Sequence, residues 1–291
     1  MNLSVASNIM KQINSKVGGE SLRLKWPEFM RKERVMVIGI DVCHAGQKSV
    51  VGFAASTNKH CTTFFSDILI QKKNQELVKR DLDKCLIGAL REFGKHNKND
   101  LPSKIIIYRD GVGEQMRDQI VAKEIAQFKA ALAPLYNKAA DPPTITLAVV
   151  NKRIHQRMFV QSRDNQVDNP PPGSIIDSGL VENQAGNRCF DFFLVPQQTT
   201  QGCVTPTHFF VSLNESVDIS KAAFEDLTYS LCYTYSNWSG SIKVPAPCQY
   251  AHKIAEYHHS FDHHGAIKKQ QNVDLKQLNY NERFLGSLYY L

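Results

Sequence analysis

The chain has 291 residues, 42% of them hydrophobic and 22% charged, the balance of a globular protein with room for one sizeable α/β core. Lys and Arg number 35 against 28 Asp and Glu, a formal charge of +7, which suits a polyanionic partner without requiring one. Seven scattered cysteines without a C-x-x-C pair argue against a disulfide framework or a zinc ribbon. No run approaches the ~20 apolar residues that a bilayer requires, so the expectation is a soluble chain of the cytoplasm or nucleus, with no membrane partner.

Residues 4–17 read as a short helix that stops at Gly18-Gly19. Val35–Asp41 (VMVIGID) is a continuous β-rich apolar run, the pattern of a strand buried on both faces. Ser49–Ser56 and Thr62–Ile70 follow after short polar joints, which predicts an antiparallel meander. The period then changes: Val78, Leu82, Cys85, Leu86, Ala89, Leu90 and Phe93 predict an amphipathic helix over 75–93 with Asn74 as its cap. Lys104–Tyr108 (KIIIY) is a second buried strand running into Arg109-Asp110-Gly111. A helix carrying Met116, Ile120, Ile125, Phe128 and Leu132 comes next, and then the strand Thr144–Val150. Three strands, helix, strand, helix, strand is the order of an α/β layer on a mixed sheet.

Asn169-Pro170-Pro171-Pro172-Gly173 forces a loop, because prolines cannot join a ladder. Strands are expected at Asp191–Val195 and His208–Leu213, and helices at Ser220–Tyr235 and Cys248–Tyr257. Residues 258–282 read as a polar, mobile excursion, and Leu285–Leu291 as an apolar tail that packs.

Asp41 and Asp110 each end a buried strand. A carboxylate leaving a sheet core is costly unless it binds a cation or takes hydrogen bonds. If the two strands are neighbours, the carboxylates share one sheet edge and repel unless a cation intervenes, and Mg²⁺ prefers oxygen ligands. The alternative for each is a turn-capping Asp, which Asp110-Gly111 readily provides. From spacing alone, neither His252 nor Glu76 stands out.

Seven segments carry a family resemblance. They are Ile38–Val42, Tyr108–Gly113, Lys152–Arg157, Pro172–Asp177, Gly202–His208, Val244–Lys253 and Leu288–Leu291. In this order they resemble the PIWI domain of Argonaute proteins, in the wording of the PIWI branch, and they span nearly the whole chain. The resemblance implies an RNase H-like mixed central sheet flanked by helices, and a catalytic Asp-Glu-Asp-His set. Matched by motif, that set is Asp41, Asp110 and His252. Glu76 supplies the glutamate by position, with Glu92 and Glu114 behind it. The implied activity is small-RNA-guided endoribonuclease cleavage of a paired target RNA. It would use two Mg²⁺ ions, or Mn²⁺, roughly 3.5–4 Å apart, held by Asp41, Asp110 and His252. An alternative is a guide-binding silencing scaffold that recruits partners without cutting.

The resemblance also implies guide-RNA contacts. Lys152, Arg153 and Arg157 match phosphate-contacting positions, and Lys243, Gln249 and Tyr250 lie near the final helix. Gln12, Lys16 and the carboxylate of Leu291 match a pocket for the guide's 5′ phosphate that is shared with a MID domain. The expected organisation is a PIWI domain over 1–291, with 1–34 as its lead-in. MID and PAZ domains, absent here, would act in cis or in trans. The run Tyr257–His264 departs from the family. Its four histidines and Asp262 could bind a transition metal, although a polar surface loop is the favoured reading.

Overall fold

The apolar runs of the sequence converge on one sheet. The computed structural model describes residues 3–20, 22–45, 48–136, 141–161, 163–181, 188–216, 218–263 and 286–291. In chain order the elements begin with α1 (Leu3–Lys16), α2 (Glu28–Lys32), β1 (Val35–Ala45), β2 (Lys48–Ser56), β3 (Phe64–Lys72), α3 (Leu82–His96) and β4 (Lys104–Asp110). A segmented helix follows: a 3₁₀ turn at Glu114–Met116, α4 (Arg117–Ile120), a π turn at Val121–Ile125 and α5 (Ala126–Leu132). The second half adds β5 (Thr144–Asn151), β6 (Val160–Gln161), β7 (Val167–Asp168), β8 (Ile175–Ile176), β9 (Phe190–Leu194), β10 (Thr207–Asn214), α6 (Lys221–Leu231) and α7 (Ala246–His263).

Among the described residues, eight strands form a mixed sheet in the order β3-β2-β1-β4-β5-β10-β9-β8, and β6 pairs separately with β7. β1, β4 and β5 are parallel at the centre. β2 and β3 form the antiparallel meander that the short joints predict.

The central strands are apolar on both faces because both are covered. Val35, Val37, Ile106, Tyr108, Ala148 and Val150 pack with residues of α6 and α7. Met36, Ile38, Ile40, Ile105, Ile107 and Leu147 pack with α3 and α5. The tail packs as expected: Leu288 and Tyr290 are buried, and the Tyr290 hydroxyl shares a 2.7 Å hydrogen bond with Ser66 Oγ.

Three expectations need correction. First, the helix expected over 75–93 begins only at Leu82, and Asn74 does not cap it. Asn74 and Asp81 both take left-handed backbone angles, with φ of 56° and 71°, which interrupts a right-handed helix. The segment between them is tied sideways instead: Val78 N–H donates to Glu124 Oε1 at 2.8 Å, and Gln127 Nε2 donates to Val78 O at 2.9 Å. Second, Asp41 does not end its strand. β1 runs on to Ala45 against β2, and only its pairing with β4 stops, at Ile40 with Arg109. Third, the histidine-rich run does not start as a loop, because α7 continues through His263. His258 is 2% exposed. The remainder of the expected excursion, 264–282, lies outside the described residues.

What sets α7 against the sheet is a pair of glycines. A Cβ at Gly39 would fall inside contact distance of the Pro247 backbone, and one at Gly52 would collide with the Ala251 carbonyl. Absence of those two side chains lets the helix lie directly on β1 and β2. Gly39→Ala should therefore push α7 outward and cost about 1–3 kcal/mol as overpacking does. Chemical denaturation of the variant checks this.

His258 gives the fold a pH signature. Burial pushes its imidazole down to about 4, whereas an unfolded histidine titrates near 6.5. The unfolded chain then binds a proton that the folded chain refuses, so this contribution to stability is full above about 6.5 and is lost as pH falls toward 4. The melting-temperature advantage of the wild type over His258→Phe should shrink between pH 7 and pH 5. An advantage constant over that range would show that His258 is not held neutral by burial.

Candidate active site

The register of the two central strands positions the acidic pair. Parallel pairing sets Ile40 opposite Arg109, so the next residue on each strand brings Asp41 beside Asp110. Both lie on the face that α7 covers, following Val37 and Tyr108 by the two-residue period. Asp41 is 6% exposed and Asp110 is 0% exposed. Two adjacent buried carboxylates lose hydration and repel each other, and the surrounding residues answer that cost.

His252 is carried to Asp41 by α7, and its Nδ1 donates to Asp41 Oδ2 over 2.6 Å. Burial on its own would raise the Asp41 carboxyl. The His252 hydrogen bond, with the charges of His252, Lys152 and Arg109, overturns that and holds it below its ordinary value. The same bond raises His252 against the effect of burial. Asp110 fares differently. Burial and the charge of Asp41 push it up to about 6, although the Lys152 ammonium lies 2.7 Å from its Oδ2.

Glu76 reaches the same place from the other side of the sheet. Successive strand residues point to opposite faces, so Arg109 points away from Asp110 and is fully buried. Its guanidinium contacts Glu124 Oε2 at 3.1 Å and Glu76 Oε1 at 3.0 Å, and it donates to the Glu76 carbonyl at 2.7 Å. His44, near the end of β1, donates from Nε2 to Glu76 Oε2 at 2.6 Å, and its Nδ1 accepts from Ser49 Oγ at 2.8 Å. A point beside Gly111 lies 3.6 Å from Asp41 Oδ1 and 4.0 Å from Glu76 Oε1. The two carboxylates thus flank one small volume. Glu92 instead pairs with Lys95 on α3. Glu114 is exposed beside Arg117.

Asp41, Glu76, Asp110, Lys152, Arg153 and His252 all line one cleft of about 1190 Å³. Among the described residues, no three His, Cys, Asp or Glu side chains stand as a ready cation cage. His252 is turned to Asp41, and Lys152 occupies Asp110. The donor set nevertheless suits a hard divalent cation. It is oxygen-rich, and Asp110 Oδ1 is buried without a hydrogen bond.

The expected guide contacts separate into three groups. Arg153 and Arg157 are exposed after β5, and Arg157 Nη1 donates to the carbonyls of Ile154 and Gln156. Lys243 is exposed and Gln249 half-buried. Gln12, Lys16 and Leu291 are half-buried, and the segments that carry them meet where Leu288 N–H donates to Ser15 O at 3.4 Å. Tyr250 requires correction. It is 1% exposed, and its hydroxyl donates to Thr234 O at 2.9 Å and accepts from Ser236 N–H at 3.1 Å. Its place is in the core under the tail, not on a guide. Lys152 is engaged by Asp110 rather than free at the surface.

The sequence reading did not single out Arg109, His44, Glu124 or the buried pair of His208 Nε2 and Asp191 Oδ2, 2.5 Å apart in the same cleft. Arg109 was the accessible one: a charged residue inside KIIIYRD demands buried carboxylate partners.

Comparison with known proteins identifies the family and the fold. The Piwi domain family model matches residues 1–263. The chain belongs to that family. It is 41% identical over 259 residues to Piwi-like protein 1 of Gallus gallus, covering 87% of this chain and 28% of that protein. It is 37% identical over 281 residues to Piwi-like protein 1 of Danio rerio, covering 96% of this chain and 30% of that one. The chain thus spans less than a third of the length of these relatives. Crystal structures of Drosophila Piwi (TM-score 0.77, 28% identity) and of Kluyveromyces polysporus Argonaute with a guide RNA (TM-score 0.85, 22% identity) each align with 100% of this chain. They cover it with 36% and 37% of their own chains. The fold of this Piwi domain is the RNase H-like one. Among its described residues no helix is long and apolar enough to cross a membrane.

The buried Arg109 ties Glu76 and Glu124 to the sheet. Arg109→Met strands Glu124, whose side chain is 2% exposed, and should cost about 3–5 kcal/mol, the range for breaking a buried pair. Urea unfolding of wild type and variant measures this.

Proposed function

We propose that this Piwi domain is a guide-directed endoribonuclease, holding a small guide RNA and hydrolysing the RNA paired to it. One observation supports the reading above the others: Asp41 and Asp110 lie side by side under His252, with Glu76 held at the same point by Arg109 and His44. Argonaute-type relatives and the Argonaute crystallised with a guide RNA support the choice of nucleic acid.

Asp41 and Asp110 would hold Mg²⁺ or Mn²⁺, with His252 and Glu76 completing the surroundings. When bound, such ions supply an activated water and neutralise the leaving oxyanion. The chain's own contribution is positional. The sheet fixes the two carboxylates in register, and α7 presents an imidazole that Asp41 orients. The Arg109–His44 pair prevents Glu76 from drifting into solvent. Arg153, Arg157 and Lys243 would neutralise guide phosphates, a contact that confers affinity without reading sequence. Gln12, Lys16 and the Leu291 carboxylate, grouped by the Leu288–Ser15 contact, would meet the guide's 5′ end beside a MID domain.

Cleavage of a labelled RNA paired to a guide, in Mg²⁺ and in chelator, tests this. The protein supplied with MID and PAZ partners should cut in Mg²⁺ alone, and Asp41→Asn should lose cutting while keeping guide binding. Unchanged cleavage by Asp41→Asn would refute the assignment. Guide binding without cutting by the wild type would favour a silencing scaffold.

A further inference from the structure

Lys152 sits where its expected role does not place it. It follows β5, the strand paired with β4, and its ammonium lies 2.7 Å from Asp110 Oδ2. The two partners differ in freedom. Asp110 belongs to the central strand β4, and its side chain is 1% exposed, whereas that of Lys152 is 33% exposed at the wall of the cleft. Asp110 Oδ1 takes no hydrogen bond at all, so among the described residues Lys152 is the one cation placed directly on this carboxylate. Asp41 has His252 for the same purpose.

We infer that Lys152 is the resident counter-ion of the Asp41–Asp110 pair, and that it must leave Asp110 before a divalent cation can bind there. The inference rests on the metal-dependent reading of the site. An ammonium is a compact point charge on a flexible four-carbon stem, able to stabilise two crowded carboxylates in the absence of metal and to withdraw along the cleft. It uses Asp110 Oδ2, an oxygen a metal would need, and like charges cannot share one oxygen at close range without repulsion. Metal and ammonium are therefore competitors. The released ammonium swings toward the side of the cleft lined by Arg153, where a nucleic-acid phosphate would receive it. Anything binding the withdrawn lysine favours metal binding by the same factor in return.

The test uses the 291-residue chain and Mn²⁺ alone. Isothermal titration measures Mn²⁺ affinity for wild type, Lys152→Met, Lys152→Arg and Asp110→Asn, and melting in EDTA and in saturating Mn²⁺ follows stability. Lys152→Met should melt lower than wild type in EDTA, regain that loss in Mn²⁺, and bind Mn²⁺ at least about tenfold more tightly, a 1.4 kcal/mol difference. Lys152→Arg, which keeps the charge, should not gain affinity. Equal or weaker Mn²⁺ binding by Lys152→Met, or a stability loss that Mn²⁺ fails to restore, overturns the inference. If Asp110→Asn still abolishes binding in that case, the metal-dependent reading survives without it. No Mn²⁺ binding by wild type or by Lys152→Met overturns both.

Discussion

Two carboxylates that belong in water are instead set side by side at the rim of a buried sheet, and the rest of the site responds to that. Their adjacency follows from parallel pairing of β1 with β4, which a shift of one residue would destroy by sending one of them to the opposite face. Asp41 and Asp110 depart from the ordinary carboxylate range in opposite directions because burial acts on both while their partners differ. Asp41 has the imidazole of His252 against it and stays ionised readily. Asp110, pushed up by burial and by the charge of Asp41, has the Lys152 ammonium beside one of its oxygens and holds its proton to about 6.

β4 organises both faces through two consecutive residues. Asp110 looks toward α7 and the acidic pair, while Arg109 looks the other way and grips Glu76 and Glu124. The π turn at Val121–Ile125 contains Glu124, and local insertions of this kind recur at functional sites. One carboxylate oxygen of Glu124 accepts the Val78 N–H and the other pairs with Arg109. The segment carrying Glu76 is thereby fixed without being helical. Gly39 and Gly52 do the equivalent for α7, since close approach of that helix is what brings His252 within reach of Asp41.

Much of this was legible. The uninterrupted apolar runs at 35–40 and 105–108 identify the paired central strands, and a carboxylate on each marks the rim. The motifs around Asp41, Asp110 and His252 point to the family that the comparisons then establish. The position of Glu76 was less legible, because Leu77 and Val78 continue the apolar spacing of α3 although they are loop anchors. Periodicity registers burial and cannot tell a helix from a segment held by side chains across the fold. Tyr250 misled for a related reason: a motif names neighbours in sequence, while on a helix neighbours three or four residues apart share a face and adjacent ones do not. The contact between Lys152 and Asp110 depends on how β5 ends beside β4, a relation that no local pattern encodes.

The central claim is that Asp41 and Asp110 form one divalent-cation site. Anomalous diffraction from crystals soaked in Mn²⁺ tests it most directly. The account requires a manganese peak within coordination distance of both carboxylates, about 2.0–2.3 Å from their oxygens as for hard divalent cations, with the Lys152 ammonium displaced from Asp110. Full occupancy at some other site, with Lys152 still seated on Asp110, would contradict it.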